Sequence, residues 1–358
     1  MPGSPTSAIP IDWLLAAVSR VFAALELPHD ASSAVARALV DADMRGIASH
    51  GVLLVPMYAD RILAGSVSRA TEARVLSEFG AIASLDADNA LGILTGDQAM
   101  QLASHKARQF GIGAVSVRRA FHFGGAFRYV QAAAERGLVG IAAANTRPLM
   151  PAPGGAKAVV GNNPLAIGVP AGGLETVVLD MALSEAALGK IRLAAQEGRT
   201  IPSTWATDAS GQATTDPETA IAGLLLPAAG PKGYGLAFMI DVLTGVLSGG
   251  SFGAGVQGLY ADVATPNDCA HVFIAIDPAA FGDAAQFVAG VRTLSEQVAS
   301  SPLAPGTERV LLPGQLEAER HRRALAEGLQ LPESVLTALL ETADAVGAEL
   351  PARDEGTT

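Results

Sequence analysis

The hydrophobic pattern of the first seventy residues has the period of an α-helix. Asp12 is predicted to cap a helix that ends near Leu25, and Asp30 is predicted to cap a second one. The apolar positions of this second helix share one face, at spacings of four, four and three residues: Ala36, Val40, Met44 and Ile47. A third helix is predicted over residues 54–63, so the chain begins as a helical unit.

From about residue 72 the pattern changes to short apolar runs that alternate with helical segments. "ARVLSEFG", "IGAVSV", "LVGIAAA" and "TVVLDMA" predict strands, whereas "TGDQAMQLASHKARQFG" and "GGAFRYVQAAAERG" predict helices. Helical periodicity returns from about Asp283. We therefore predict an α/β fold in which a mixed-sheet domain, residues 72–282, is inserted into a helical domain formed by residues 1–71 and 283–358.

Composition narrows the class of protein. Hydrophobic residues make up 49% and charged residues 16% of the 358 residues, which is typical of a chain with a packed core. The net charge of -11 argues against a nucleic-acid partner. Asp12 and Asp241 interrupt the most apolar stretches, so we expect no signal peptide and no membrane span. The single cysteine, Cys269, leaves no disulfide or cysteine-based zinc site and is consistent with a cytoplasmic protein.

Several common catalytic motifs are missing. Gly111 and Gly113 precede a predicted strand and lack a third glycine at the Rossmann spacing, so we interpret them as a helix C-cap and turn. The chain contains no P-loop and no "GxSxG" motif. His50, His122 and His271 lie far apart without paired carboxylates, and we predict no metal site.

Four polar residues lie in settings that allow two interpretations. His50 in "SHG" and His122 in "FHFGG" are either catalytic or ligand-binding residues or ordinary helix-end and turn residues. The helix that begins near Gly124 would offer backbone N–H groups suited to a diphosphate. Asp180 either contacts a ligand or caps the next helix. Lys232, in the loop "PAAGPKGYG", either binds a phosphate or amide or is a solvated lysine.

Eight segments in register resemble one family. They are "DADMRGIASHGV", "HFGG", "APGGAKAVVGNNPLAIGVPA", "VVLDMALSEAALGKI", "IPSTWATDASGQATTDP", "LLPAAGPKGYGLAFMIDVLTGVLSGG", "HVFIAIDPAAF" and "RVLLPGQ". Their order and spacing are similar to those of the malate/L-lactate dehydrogenase family that is unrelated to the Rossmann-fold lactate dehydrogenases. That family includes ureidoglycolate and sulfolactate dehydrogenases, diketogulonate reductase, and piperideine- and pyrroline-2-carboxylate reductases. The resemblance extends from about residue 12 to about residue 320.

The resemblance implies a homodimeric, nicotinamide-dependent oxidoreductase whose sheet domain binds the dinucleotide without a Rossmann fold. It makes His50 the acid/base, because an imidazole can exchange a proton with the substrate while hydride moves, and it makes Ser49 the residue that orients the ring or contacts substrate. The positions that match cofactor contacts are His122, Phe123, Gly124, Gly125, Ala126, Asp180, Met181, Ala182, Lys232, Gly233, Pro313 and Gly314. No feature reports on a 2′-phosphate, so NADH and NADPH both remain open.

The chain departs from the family pattern where substrate is expected. Leu54 stands where an arginine commonly binds the substrate carboxylate, and Asn162 replaces a threonine. Gly189 and Lys190 also match substrate-facing positions, and some cyclic-imine reductases carry an aspartate in place of this lysine. Arg147 is our first candidate to replace the missing arginine and Lys190 the second. The alternative interpretation of Arg147 is a solvent-facing loop residue.

We therefore expect an enzyme that acts on a small molecule and transfers hydride to or from C2 of a 2-oxo or 2-hydroxy acid or a related compound. The alternative is an imine reductase with an atypical, uncharged substrate. A third hypothesis is an inactive family member that binds nucleotide as a regulator or structural partner. His50, Lys232 and the "HFGG" segment argue against that third hypothesis.

Overall fold

The computed structural model describes residues 8–172 and 176–352. Its helices, in chain order, are α1 (Ile11–Ala24), α2 (His29–Met44), α3 (Val55–Leu63), α4 (Gly92–Phe110), α5 (Phe127–Glu135), α6 (Leu188–Gln196), α7 (Pro217–Ile221), α8 (Pro231–Asp241), α9 (Ala284–Ala299), α10 (Gln315–Glu327) and α11 (Glu333–Ala345). Its strands are β1 (Arg74–Phe79), β2 (Ile82–Asp86), β3 (Ile112–Ala120), β4 (Val139–Ala144), β5 (Met150–Pro151), β6 (Ala158–Val160), β7 (Leu165–Val169), β8 (Val177–Met181), β9 (Ala206–Thr207), β10 (Leu224–Leu225) and β11 (Cys269–Ile276).

Seven strands form one mixed sheet in the order β1-β2-β3-β11-β4-β7-β8. Strands β2 and β3 run parallel, whereas the other neighbouring pairs of this sheet are antiparallel. Strand β11 comes from late in the chain and lies between β3 and β4, with Phe273 opposite Val115 on one side and Ala142 on the other. The prediction of a mixed α/β fold is confirmed.

Helices α4 and α5 cover one face of this sheet, and small residues let them approach closely. Ala99, Ala103 and Ala107 of α4 are buried against the sheet. A Cβ on Gly113 in β3 would overlap the carbonyl oxygen of Ala103, and one on Gly140 in β4 would lie 2.8 Å from the Cβ of Ala133 in α5. The alanine-rich composition therefore reflects tight helix-on-sheet packing.

Both ends of the chain contribute to a helical core. Apolar residues of α1, α2 and α3 pack with residues near the C-terminus such as Leu339 and Ala343 of α11. The backbone of Ile9 also forms a bridge with that of Leu329. Within the described part of the chain, helix α9 contributes no residue to this helical core. Its Arg292 guanidinium instead donates a hydrogen bond to the carbonyl of Gly172, which follows β7 in the chain. The domain boundaries at residues 71 and 282 stay predictions.

Several element boundaries differ from those predicted. Pro10 and Pro28 occupy the N-cap positions of α1 and α2, so Asp12 and Asp30 lie inside the first turns. There their carboxylates favour the helix through its dipole rather than by capping. Helix α3 begins at Val55, one residue after the predicted start at residue 54. The interpretation of Gly111 is confirmed, since it ends α4 in the left-handed region at φ 83°.

Along residues 8–172 and 176–352, no helix combines the length and the apolar character needed to cross a membrane.

Candidate active site

A cavity of about 920 Å³ lies where the first helices meet the sheet. This volume is near the upper end of the range of roughly 300–1,000 Å³ seen for small-molecule sites. Its wall combines the end of the helical unit at His50, the segment before α5, the end of β8 at Asp180, the loop around Tyr260, and the segment at Gly314 before α10. These residues are far apart in sequence, so the site exists only in the folded chain.

His50 is placed by a short 3-10 turn, Ala48–His50, that follows α2. The Ser49 hydroxyl oxygen lies 2.9 Å from the Nδ1 atom of His50, and this hydrogen bond orients the ring. Asp43 of α2 fixes the backbone just after this turn, because its carboxylate accepts the N–H of Val52 at 2.7 Å. A Cβ on Gly51 would overlap that carboxylate, which explains why a glycine follows the histidine.

Desolvation in the cavity wall lowers the pKa of His50 to about 4. The ring is therefore neutral at pH 7. Nδ1 is hydrogen-bonded to Ser49, so Nε2 is the ring atom left to exchange a proton with a bound molecule. Burial acts in the opposite direction on nearby Asp43, raising the pKa of its carboxyl to about 7.

Two further histidines line the same cavity. The rings of His50 and His122 lie 5.3 Å apart between centroids, and the Tyr58 hydroxyl is hydrogen-bonded to Nδ1 of His122 at 2.7 Å. His271 is fully buried and stacks on Phe123 with centroids 4.6 Å apart. Burial, followed by the effects of the other two histidines, lowers the pKa of His122 well below its ordinary value. The three imidazoles make this part of the cavity uncharged at neutral pH.

Asp180 uses the N-terminal amides of α5. Its carboxylate accepts the N–H of Phe127 at 2.8 Å and also the N–H of Ala126. Burial raises the pKa of this carboxyl to about 6. A carboxylate from β8 therefore already satisfies these two amides, and binding of a diphosphate at the start of α5 stays a prediction. Asp180 caps α5 rather than the helix that follows it in sequence.

Bare backbone lines the cavity at two places, as a flat cofactor would require. Gly124 adopts φ 73° and Gly314 adopts φ 80°, conformations that favour glycine. A Cβ on Gly125 would lie 2.5 Å from the Phe127 ring, and one on Gly314 would lie 2.7 Å from the carbonyl oxygen of Val178. His271 also lines the cavity, and its buried Nδ1 has no hydrogen-bond partner in the described part of the chain. These features fit a dinucleotide.

The structure brings most of the predicted site residues to this cavity. Those that line it are Ser49, His50, His122, Phe123, Gly124, Gly125, Ala126, Arg147, Asn162, Asp180, Met181, Ala182, Lys190, Pro313 and Gly314. Four predicted residues are not part of its wall. Leu54 is 1% exposed and packs in the helical core, Gly189 and Lys232 face solvent, and Gly233 is buried in the first turn of α8.

Sequence reasoning missed several lining residues. Arg192 follows Lys190 by two positions on α6, and Tyr260 lies in a loop without a motif. The Thr146 hydroxyl donates to Oδ1 of Asn162 at 3.0 Å and so orders the wall beside Arg147. Nothing local in the sequence marks these positions, although Thr146 adjoins Arg147, which the sequence predicts as a site residue. Within residues 8–172 and 176–352, no group of three or more histidine, cysteine, aspartate or glutamate side chains is placed to hold a metal ion.

The mixed seven-stranded sheet and the glycine-lined cavity are consistent with a dinucleotide-dependent oxidoreductase that lacks a Rossmann fold. The family model for malate/L-lactate dehydrogenase matches residues 9–340, and the chain belongs to that family.

Its relatives include dehydrogenases of several substrates. The chain is 37% identical to L-sulfolactate dehydrogenase of Methanothermobacter thermautotrophicus, over 90% of this chain and 92% of the relative. It is 39% identical to ureidoglycolate dehydrogenase (NAD(+)) of Escherichia coli K12, over 88% of this chain and 90% of the relative. Among solved structures, sulfolactate dehydrogenase of Methanocaldococcus jannaschii superposes with a TM-score of 0.90 at 32% identity, covering 96% of this chain and 98% of that one. The structure of Δ1-piperideine-2-carboxylate reductase of Pseudomonas syringae pv. tomato superposes with a TM-score of 0.85 at 28% sequence identity. The match covers 94% of this chain and 100% of that one.

Proposed function

We propose that this protein transfers hydride between a nicotinamide cofactor and C2 of a 2-hydroxy or 2-oxo acid, with His50 as the acid/base. The observation that carries the proposal is the half-buried imidazole of His50 in the cavity wall, with Ser49 fixing one ring nitrogen. The family relationship and the names of the relatives support the class of substrate.

His50 performs the proton step. A bound nicotinamide would supply or accept the hydride. In the oxidation direction the neutral imidazole accepts the proton of the C2 hydroxyl, and in the reduction direction the protonated ring returns it to the oxygen. Ser49 keeps the ring in one orientation throughout. The uncharged surroundings, which include His122 and His271, favour the neutral ring and thus the accepting role at pH 7.

The cofactor is proposed to lie along the glycine-lined part of the cavity. The residues that would hold it are His122, Phe123, Gly124, Gly125, Ala126, Asp180, Met181, Ala182, Pro313 and Gly314. All of them line the cavity. For Lys232 and Gly233 the proposal rests on the resemblance alone. The choice between NADH and NADPH stays open, and the name of the ureidoglycolate relative specifies NAD(+) for that protein.

An imine reductase is the second candidate. The piperideine-carboxylate reductase shares this fold over 94% of the chain. Leu54 offers no charge for a substrate carboxylate, which favours an atypical substrate. The same proton donor at His50 would serve a C=N bond, because the amine that forms also needs a proton.

We also propose that the protein is a cytoplasmic homodimer. The resemblance implies a dimer, and helix α8 with the π-helical segment Val242–Val246 that continues it carries large apolar side chains exposed on one face: Leu236, Met239, Leu243 and Leu247. A contiguous exposed apolar face of this kind favours association.

Turnover tests the proposal. The purified protein would be assayed with NADH, NADPH and their oxidised forms against 2-hydroxy acids, 2-oxo acids and cyclic imines. We expect His50→Ala to lower kcat on the best substrate by roughly 10²–10⁴-fold, with cofactor binding, followed by nucleotide fluorescence, unchanged. His105→Ala is the matched control, because this histidine is exposed on α4 outside the cavity.

Different results would contradict the role of His50, the enzymatic activity and the class of substrate. Near-normal turnover by His50→Ala would reject the acid/base assignment. Binding of neither dinucleotide would reject both enzyme candidates and favour an inactive family member. Turnover of cyclic imines without turnover of any 2-oxo acid would establish the imine reductase instead.

A further inference from the structure

The charged side chains that line the cavity differ in whether they have a partner of opposite charge. Arg45 is paired with Asp41 at 3.1 Å. On Asp180, burial raises the pKa first and the negative charge of Glu317 raises it further, so these two acids are neighbours. Three other cations of the lining form no ion pair within residues 8–172 and 176–352: Arg147, Lys190 and Arg192.

The positive charge of Arg192 acts on Arg147, and both side chains line the same cavity. Burial lowers the pKa of the Arg147 guanidinium, and the positive charge of Arg192 lowers it further. Both arginines line the cavity and both are exposed, so water screens part of their repulsion. An anion bound in the cavity near them would compensate the remaining positive charge.

The wall of the cavity makes room for Arg147. A Cβ on Gly258 would lie 2.9 Å from Cδ of Arg147, so this side chain runs along the bare backbone of the loop. The next residues of that loop, Leu259 and Tyr260, line the cavity with His50. Tyr260 also feels Arg192, since burial raises its pKa while the charge of Arg192 opposes the rise. One continuous wall therefore joins the two arginines to the catalytic histidine.

We propose that Arg147 and Arg192 form an anion subsite that binds a carboxylate or sulfonate of the substrate. Two guanidinium groups suit planar, bidentate binding of such an anion. Their combined charge of two matches a 2-hydroxy acid with two anionic groups better than one with a single carboxylate. The inference rests on the proposed function, and it explains how the enzyme holds an acid when Leu54 lies in the core.

Binding of a non-oxidisable dianion tests the subsite without turnover. Malonate would be titrated calorimetrically into the wild-type protein and into Arg147→Met and Arg192→Met, which keep an apolar stem but lose the charge. We expect Kd to rise by about 10-fold or more in each variant, the change expected when one charged partner is removed. Arg199→Met is the control, because Arg199 is exposed and paired with Glu197.

Kinetics test the charge preference. For the wild type we expect a higher kcat/KM with malate than with lactate. In the two variants kcat/KM should fall by roughly 10- to 100-fold for malate and much less for lactate. Equal losses for both acids would overturn the match to a doubly charged substrate.

The remaining outcomes separate this inference from the proposed function. Failure of malonate to bind the wild type, or equal affinity in wild type and variants, would overturn the subsite. Weaker NADPH binding with unchanged malonate binding would assign the arginines to a cofactor phosphate and likewise overturn it. Arginine-dependent malonate binding by a protein that oxidises no 2-hydroxy acid would support the subsite and reject the proposed function.

Discussion

The protonation state of His50 is decided by burial rather than by a charged partner. Desolvation is the cause of its lowered pKa, and the nearest ionisable ring, His122, is itself neutral. Ser49 supplies a hydrogen bond but no charge. At the scale of one residue, burial therefore keeps this imidazole neutral among uncharged rings, which is the state that the proposed role as proton acceptor requires.

The pH dependence of oxidation follows from this pKa. The protonated ring cannot accept a proton, so kcat/KM for 2-hydroxy-acid oxidation should fall below an apparent pKa of about 4 and be level from there towards neutrality. Profiles measured between pH 3.5 and 8, with brief exposure to acid and a return to pH 7 as the control for unfolding, check this. An inflection near pH 6.5 that persists in Asp43→Asn and Asp180→Asn, which remove the two carboxyls with pKa values raised to about 7 and about 6, would mean that the ring is hydrated as in a free histidine.

A buried arginine fixes one wall of the cavity at the scale of secondary-structure elements. Arg61, in α3, is 1% exposed. Its guanidinium donates to the carbonyls of Gly258, Leu259 and Thr265 at 2.9–3.0 Å. The loop that it holds contributes Leu259 and Tyr260 to the cavity. Helix α3 thus sets the position of a loop that lies 198 residues further along the chain.

Replacing this arginine should loosen the loop. Arg61→Met leaves three carbonyls without their donor, and we expect a loss of about 3 kcal/mol in the free energy of unfolding. The KM for substrate should rise by roughly 10-fold while cofactor affinity changes little, since a displaced wall mainly affects substrate positioning.

Denaturant unfolding, steady-state kinetics and nucleotide titration measure the effects of Arg61→Met. Arg61→Lys should recover part of the substrate affinity because it restores a donor. Arg309→Met is the control, since Arg309 is exposed and paired with Glu319. An unchanged KM in Arg61→Met would show that the loop is held by other contacts.

At the scale of the whole molecule, the exposed face of α8 and its continuation should form the dimer interface. An aspartate in place of Leu243 or Leu247 would place a charge in that apolar surface. We expect wild-type protein to sediment as a dimer and both variants to sediment as monomers with unchanged circular dichroism. Phe79→Asp is the control, because Phe79 is 82% exposed on the edge strand β1. Dimeric behaviour of both variants would place the interface elsewhere.

Local patterns determined most of the elements. The strands around "IGAVSV" and "LVGIAAA", the helix α4 and its cap at Gly111 were all predictable, because periodicity and capping depend on neighbours in sequence. The pair of Asp41 and Arg45 is equally local, four residues apart on one helix. The gathering of His50, Asp180 and Gly314 in one site came from the resemblance to a family.

What only the tertiary structure decided is how long-range contacts satisfy each polar group. The amides at the start of α5 were open to a diphosphate in the sequence, but Asp180 reaches them across 53 residues because β8 lies beside β7 at that edge of the sheet. Leu54 matched a substrate position in the sequence, yet it points into the helical core. Sequence periodicity records which face of an element is apolar, whereas the partner of a buried hydrogen-bonding group is chosen by the packing of elements far apart in the chain.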